Sequence, residues 1–99
     1  MSETPLTRTV VVTDPAGVHA RTAVAIAEVV RHGKSQVRLI KDERPVGGTD
    51  VLQILTMVAE QGTSVRLEAV GPDAAAVLDA LEPLFAGRFG DDAQESAER

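Results

Sequence analysis

Residues Thr7 to Gly33 read TRTVVVTDPAGVHARTAVAIAEVVRHG, and the apolar period changes partway through that run. Thr7 to Thr13 is short and rich in β-branched residues, which is the composition of a strand. Asp14-Pro15-Ala16-Gly17 follows as a turn, with Pro setting φ and Gly free to take a positive φ. From Ala20 onward Ala23, Ile26, Ala27 and Val30 follow i, i+3, i+4, i+7, one apolar helix face. His32 and Gly33 close this helix, a cation-capable side chain in the last turn and a Gly expected to take a left-handed cap.

The remaining segments extend the pattern. Ser35 to Lys41 is a second strand in which Val37 and Leu39 alternate with polar neighbours. Asp42-Glu43-Arg44 is a turn, and Arg44 to Gly47 a short return strand. Pro45 lacks an amide donor, which puts that strand at a sheet edge. Asp50 is a good N-cap for a second helix whose apolar face is read as Val51, Leu52, Leu55 and Val58, ending by Gln61-Gly62. Ser64 to Val70 alternates strictly, with Val65, Leu67 and Ala69 inward and Arg66 and Glu68 outward. Gly71-Pro72-Asp73 opens a third helix with Ala74, Val77, Leu78, Leu81 and Phe85 on one stripe. Pro83 interrupts that stripe, so an end or kink is expected near Leu81 or Glu82. The order β-α-β-β-α-β-α predicts an α+β fold: an open-faced sandwich with a four-stranded antiparallel sheet and three helices on one face.

Ninety-nine residues make one domain with one modest core. Residues 1–89 are read as that domain and 90–99 as an acidic disordered tail, since Asp91, Asp92, Glu95 and Glu98 face only Arg99 there. Ten basic and 15 acidic residues give a formal charge of -5, which speaks against a nucleic-acid partner. Phe85 and Phe89 are the two aromatic residues, too few for a base-stacking platform. The absence of Cys removes disulfides, thiolate metal sites and Cys nucleophiles. Apolar runs no longer than Ala23 to Ala27 predict no membrane insertion. A polar Met1 to Thr7 lacks the apolar centre of a secretion signal, so a cytoplasmic protein is expected.

His19 is the first site candidate. It stands where the loop enters the first helix, and the leading amides there have no intrahelical partner and carry the positive end of the dipole. Such a place suits an anion and favours the neutral, nucleophilic imidazole. A phosphoryl group on His19 could take hydrogen bonds from the amides of Ala20 and Arg21, with the Arg21 charge beside it. A surface histidine that merely caps the helix is the plainer alternative. His32 reads as a dipole partner at the other helix end, roughly 20 Å from His19 at 1.5 Å rise per residue, so the two share no metal. No spacing in the chain matches a metal site, and no cofactor is implied. Gly47-Gly48-Thr49-Asp50 lacks the Lys of a phosphate loop and reads as a turn into a capped helix. Val51, Leu52 and Leu55 are either core residues or a rim that docks a partner.

The segment Asp14 to Ala23 resembles the active-site motif of the HPr family, the histidine phosphocarriers of the sugar phosphotransferase system, whose pattern is Gly-Leu-His-Ala/Thr-Arg-Pro-Ala. The resemblance runs on from about Arg8 to Phe85 with the same element order. It implies His19 as phosphoacceptor and donor, Arg21 as its charge partner, and the amides of Ala20 and Arg21 as phosphate donors. It also implies Val18, Val51, Leu52 and Leu55 as a docking patch. The implied partners are enzyme I and the A component of a sugar transporter, met by a monomer that is a carrier and not an enzyme. A regulatory module that docks without carrying phosphate, or a nitrogen-type or dihydroxyacetone branch, would use the same surface. Three positions depart from the family pattern. Thr22 replaces the motif Pro, which is expected to loosen the first turn. Ala16 stands where many relatives have Asn. Asp50 stands at a regulatory serine of some relatives and so puts permanent charge beside the patch. With Glu28 on the first helix, that charge implies slow exchange with a foreign enzyme I.

Overall fold

The computed structural model describes residues 4–89. The elements are β1 (Leu6–Val11), α1 (Ala20–His32), β2 (Gln36–Lys41), β3 (Arg44–Gly47), α2 (Val51–Thr56), β4 (Ser64–Val70) and α3 (Ala74–Leu81), closed by a 3-10 turn over Glu82–Ala86. The sheet order is β1-β4-β2-β3 and every pairing is antiparallel. β4, last in sequence, sits between β1 and β2, with Leu67 opposite both Arg8 and Leu39. β3 lies at the edge, where Pro45 pairs with Ile40 without a second neighbour to supply.

One hydrophobic cluster joins the layers. Val10, Val37, Leu39, Val65, Leu67 and Ala69 enter it from the strands, and Ala23, Ile26, Ile54, Val77, Leu78 and Leu81 from the helices. The sheet's other face is charged: Arg38 and Arg66 flank Glu68 at 2.8 and 3.4 Å. The fold is therefore the expected α+β open-faced sandwich. Pro83 has the anticipated effect, since α3 stops at Leu81 and Pro83 falls in the first turn of the 3-10 segment.

Three local readings are corrected. β1 ends at Val11 and not at Thr13, because the Thr13 and Asp14 amides leave the ladder for the Phe85 carbonyl at 3.0 and 3.2 Å. Gly33 is extended, with φ -87° and ψ -177°, and not left-handed. Its lack of a side chain serves packing, as a Cβ there would lie 2.8 Å from a Val77 methyl. The apolar face of α2 also differs. Ile54 and Met57 are the buried residues, while Leu52 is 75% and Val58 62% exposed. A helix of six residues cannot carry the pattern as far as position 58.

Val58 instead has φ +51°, and its amide donates back to the Leu55 carbonyl at 3.2 Å. A β-branched residue in this region is strained by about 1–2 kcal/mol. Val58→Gly removes that strain and gives up little buried surface, because the side chain is mostly exposed, while the glycine's extra unfolded-state entropy takes back about 0.5–1 kcal/mol. A net gain of about 0.5–1 kcal/mol is expected in urea unfolding; a loss of stability would show that the turn is unstrained.

Asp73 opens α3 without capping it. Its carboxylate accepts the Ser35 hydroxyl and, at 2.9 Å, the Lys34 amide, which fastens the α1–β2 connection to α3. The Ser35 bond first and the Lys34 amide second hold its carboxyl below the usual range, and Arg38 does the same for Glu68. A carboxyl depressed in the folded state adds stability above its unfolded value, about pH 4, which is lost as pH falls through the folded value. Thermal midpoints are thus expected to drop below about pH 4, and Asp73→Asn should flatten that drop.

Candidate functional site

The site is built on the loop between β1 and α1. Pro15 and Ala16 turn the chain over Asp14, with the Gly17 amide donating to the Asp14 carbonyl at 2.8 Å and the Ala16 amide to Asp14 Oδ1 at 2.9 Å. Gly17 has φ +72°, and a Cβ there would meet the Ala59 carbonyl at 2.8 Å. That carbonyl accepts the Val18 amide at 2.8 Å. The left-handed turn at Val58, just after α2, thus delivers the group that anchors the residue before His19.

His19 is the N-cap of α1 in extended backbone, φ -116° and ψ -172°. Its side chain is about one-third exposed. Ala20 and Arg21 are the first two helical residues, so their amides belong to the turn that has no intrahelical acceptor. The His19 amide donates to Thr22 Oγ1 at 3.4 Å, and the Thr22 amide faces the His19 side chain in the arrangement of a capping box, though the imidazole makes no full cap bond. Thr22 is buried. The threonine that was expected to loosen this turn therefore ties it: it restores an amide but also brings a hydroxyl that accepts the amide of the histidine.

Two side chains that the sequence reading passed over reach the ring. Asp14 Oδ2 lies 3.6 Å from His19 Nε2. Phe89 packs edge-on to the imidazole, centroids 6.0 Å apart and planes at 69°, and the Arg21 guanidinium lies over the same phenyl ring at 4.6 Å. Asp14 was legible only as a turn residue. The one available signal was an acid five positions before a histidine across a Pro-Gly turn.

The residues expected to dock partners divide. Val18, Val51 and Leu55 are half-buried and rest on the core, whereas Leu52 projects outward. They nonetheless share a region with His19, because α2 packs on α1 and the Val18–Ala59 bond joins the two loops. Asp50 caps α2, its Oδ1 accepting the Gln53 amide at 3.1 Å. Glu28 is exposed and pairs with Arg31 at 3.7 Å. His32 stands apart, Nδ1 2.7 Å from the Glu28 carbonyl, in the structural role expected at a helix C-terminus. Among the described residues no three His, Cys, Asp or Glu side chains gather as metal ligands, and no helix is long and apolar enough to cross a membrane.

The geometry is thus a four-stranded open-faced sandwich that presents one histidine at a helix N-terminus, with an arginine two residues on. The family model described as the PTS HPr component phosphorylation site matches residues 6–87. The chain is 35% identical over 82 residues to phosphocarrier protein HPr of Treponema pallidum, covering 83% of this chain and 93% of that one. It is 29% identical over 86 residues to phosphocarrier protein NPr of Shewanella violacea, covering 87% and 94%. In fold it matches the crystal structure of HPr from Bacillus anthracis with a TM-score of 0.76 at 21% identity, over 81% and 95% of the two chains. The chain belongs to the PTS HPr family, whose members are phosphocarriers and not enzymes themselves.

Proposed function

We propose that this protein carries a phosphoryl group on His19, taking it from phospho-enzyme I and passing it to the A component of a sugar-specific phosphotransferase transporter. The observation that carries the reading is the placement of His19: N-cap of α1, part-exposed, with Arg21 two residues on. In the phosphorylated state the amides of Ala20 and Arg21 donate to the phosphoryl oxygens, and the helix end contributes about 0.3–2 kcal/mol to holding the anion. The Arg21 guanidinium adds a charge-assisted donor. Val18, Val51, Leu52 and Leu55 form the surface on which successive partners sit. A monomer working in the cytoplasm suits a shuttle that offers one face to two partners in turn.

The rival reading, a docking module without phosphate, draws on the charge of Asp50. That carboxylate already caps α2, so its presence has a structural explanation and gives the rival little. The names HPr and NPr among the relatives leave open both the sugar branch and the nitrogen-type one. The test is incubation with phosphoenolpyruvate and the native enzyme I, read as intact mass. A single acid-labile phosphoryl group is expected. None, beside an active enzyme I, would overturn the carrier and favour the docking module.

A further inference from the structure

We propose that Asp14 is a positioning residue for His19: a fixed carboxylate that keeps the Nε2–H edge of the imidazole turned toward it, reserves Nδ1 for the phosphoryl group and balances the charge of the phosphorylated ring. The proposal rests on the carrier reading above and adds to it a residue that the motif Gly-x-His-x-Arg does not contain.

The carboxylate is held from several sides. Its side chain is 14% exposed. Oδ1 is occupied by the Ala16 amide at 2.9 Å, which leaves Oδ2 directed at the ring. The Asp14 backbone is tied to the Phe85 carbonyl at 3.2 Å. Gly87 closes the far side so tightly that a Cβ there would lie 2.8 Å from Oδ2. The 3-10 turn and its Gly87 cap thus press the carboxylate toward the site, and Phe89, two residues further, edges the imidazole.

The 3.6 Å separation is too long for a hydrogen bond, so the interaction is electrostatic in this state. Its consequences follow from charge. An incoming phosphoryl group is an anion, and a fixed carboxylate beside Nε2 repels it there. The same carboxylate favours a proton on Nε2, which leaves the Nδ1 lone pair unprotonated. The Thr22 amide, facing the ring from the helix side, suits a ring with such an acceptor. The transfer then balances without proton loss. The Nδ1 lone pair forms the N–P bond, and the bond from phosphorus to the donor group of phospho-enzyme I breaks with its electron pair staying on that group. His19 keeps its Nε2 proton and gains a positive charge, which Asp14 faces. A unit charge pair near 4 Å favours the paired state about fivefold even at the dielectric of water, enough to bias the choice of nitrogen.

The experiment uses the whole chain, wild type and Asp14→Asn, with phosphoenolpyruvate and native enzyme I. The amide can still accept from Ala16, so the turn persists; a matching amide NMR spectrum verifies this. Initial phosphorylation rates are read together with the phosphorylated nitrogen by nitrogen–phosphorus NMR correlation. A second measurement needs no variant: the ring tautomer of unphosphorylated His19 from long-range nitrogen–proton correlations. Nε2–H as the wild-type tautomer, phosphate on Nδ1 alone, and an Asn variant about fivefold slower with some phosphate on Nε2 support the role. A variant equal in rate and in nitrogen overturns it and leaves the carrier intact. A wild type that takes no phosphate overturns both, and a wild-type Nδ1–H tautomer overturns the Asp14 role by itself.

Discussion

His19→Ala is expected to abolish phosphoryl acceptance while leaving the fold nearly unchanged. The loss should be complete because the methyl group offers no lone pair, and the other histidine cannot replace it. His32 sits at the far end of α1, about 20 Å away at 1.5 Å per residue, with its ring held against the Glu28 carbonyl. The structural cost should be small. The imidazole makes no full capping bond, so the variant forgoes less than the ~1 kcal/mol of a typical N-cap. The His19 amide keeps its acceptor in the Thr22 hydroxyl. For a domain of this size about 1 kcal/mol moves the thermal midpoint by some 4–8 °C, which bounds the expected shift. Intact mass after exposure to phosphoenolpyruvate and enzyme I, beside a thermal melt, reads both quantities. A phosphorylated variant would place the acceptor elsewhere.

How far the sequence carries this site depends on how local each contact is. The order of elements is legible because Thr7 to Gly33 switches from β-branched composition to helical spacing within one run, and because β4 alternates without a break. His19 at a helix start is legible for the same reason: the turn residues before it and the apolar stripe after it fix the boundary. Asp14 as a ring partner is not. Its carboxylate is aimed by the Phe85 carbonyl and by Gly87, more than seventy residues away in sequence, and no local rule foresees that contact. Gly33 fails as a left-handed cap because its constraint is the approach of Val77 from another helix. α2 is misread because Val58 takes a backbone conformation that β-branched residues rarely adopt, so the helix ends before its apolar period is spent. Thr22 shows the opposite case. Comparison with the motif Pro foresees a loss of rigidity, and the compensating hydroxyl contact emerges only when the loop is folded.

That misreading of α2 leads to the sharpest separation of stability from docking. Ile54 and Leu52 stand two residues apart on the same short helix, one fully buried and the other 75% exposed. Ile54→Ala removes packed core and should cost about 2–5 kcal/mol. Leu52→Asp removes almost no buried surface, and exposed substitutions of this kind stay within about 0.5 kcal/mol. It also places an acid in the first turn after the Asp50 cap, where the helix dipole favours negative charge, so folding is not its point of failure. Its effect should fall on the partner. An exposed leucine beside half-buried Val51 and Leu55 has no intramolecular use for its apolar surface, and truncating a docking anchor costs more than about 1 kcal/mol. The new carboxylate, close to that of Asp50, must also be desolvated or repelled when a partner closes over it. The KM of enzyme I for the Leu52→Asp protein is therefore expected to rise about tenfold to a hundredfold, with the urea midpoint unchanged. An unaltered KM would remove Leu52 from the docking surface and leave the half-buried Val18, Val51 and Leu55, whose substitution cannot be separated from the core, as the residues to test by paired measurements of stability and rate.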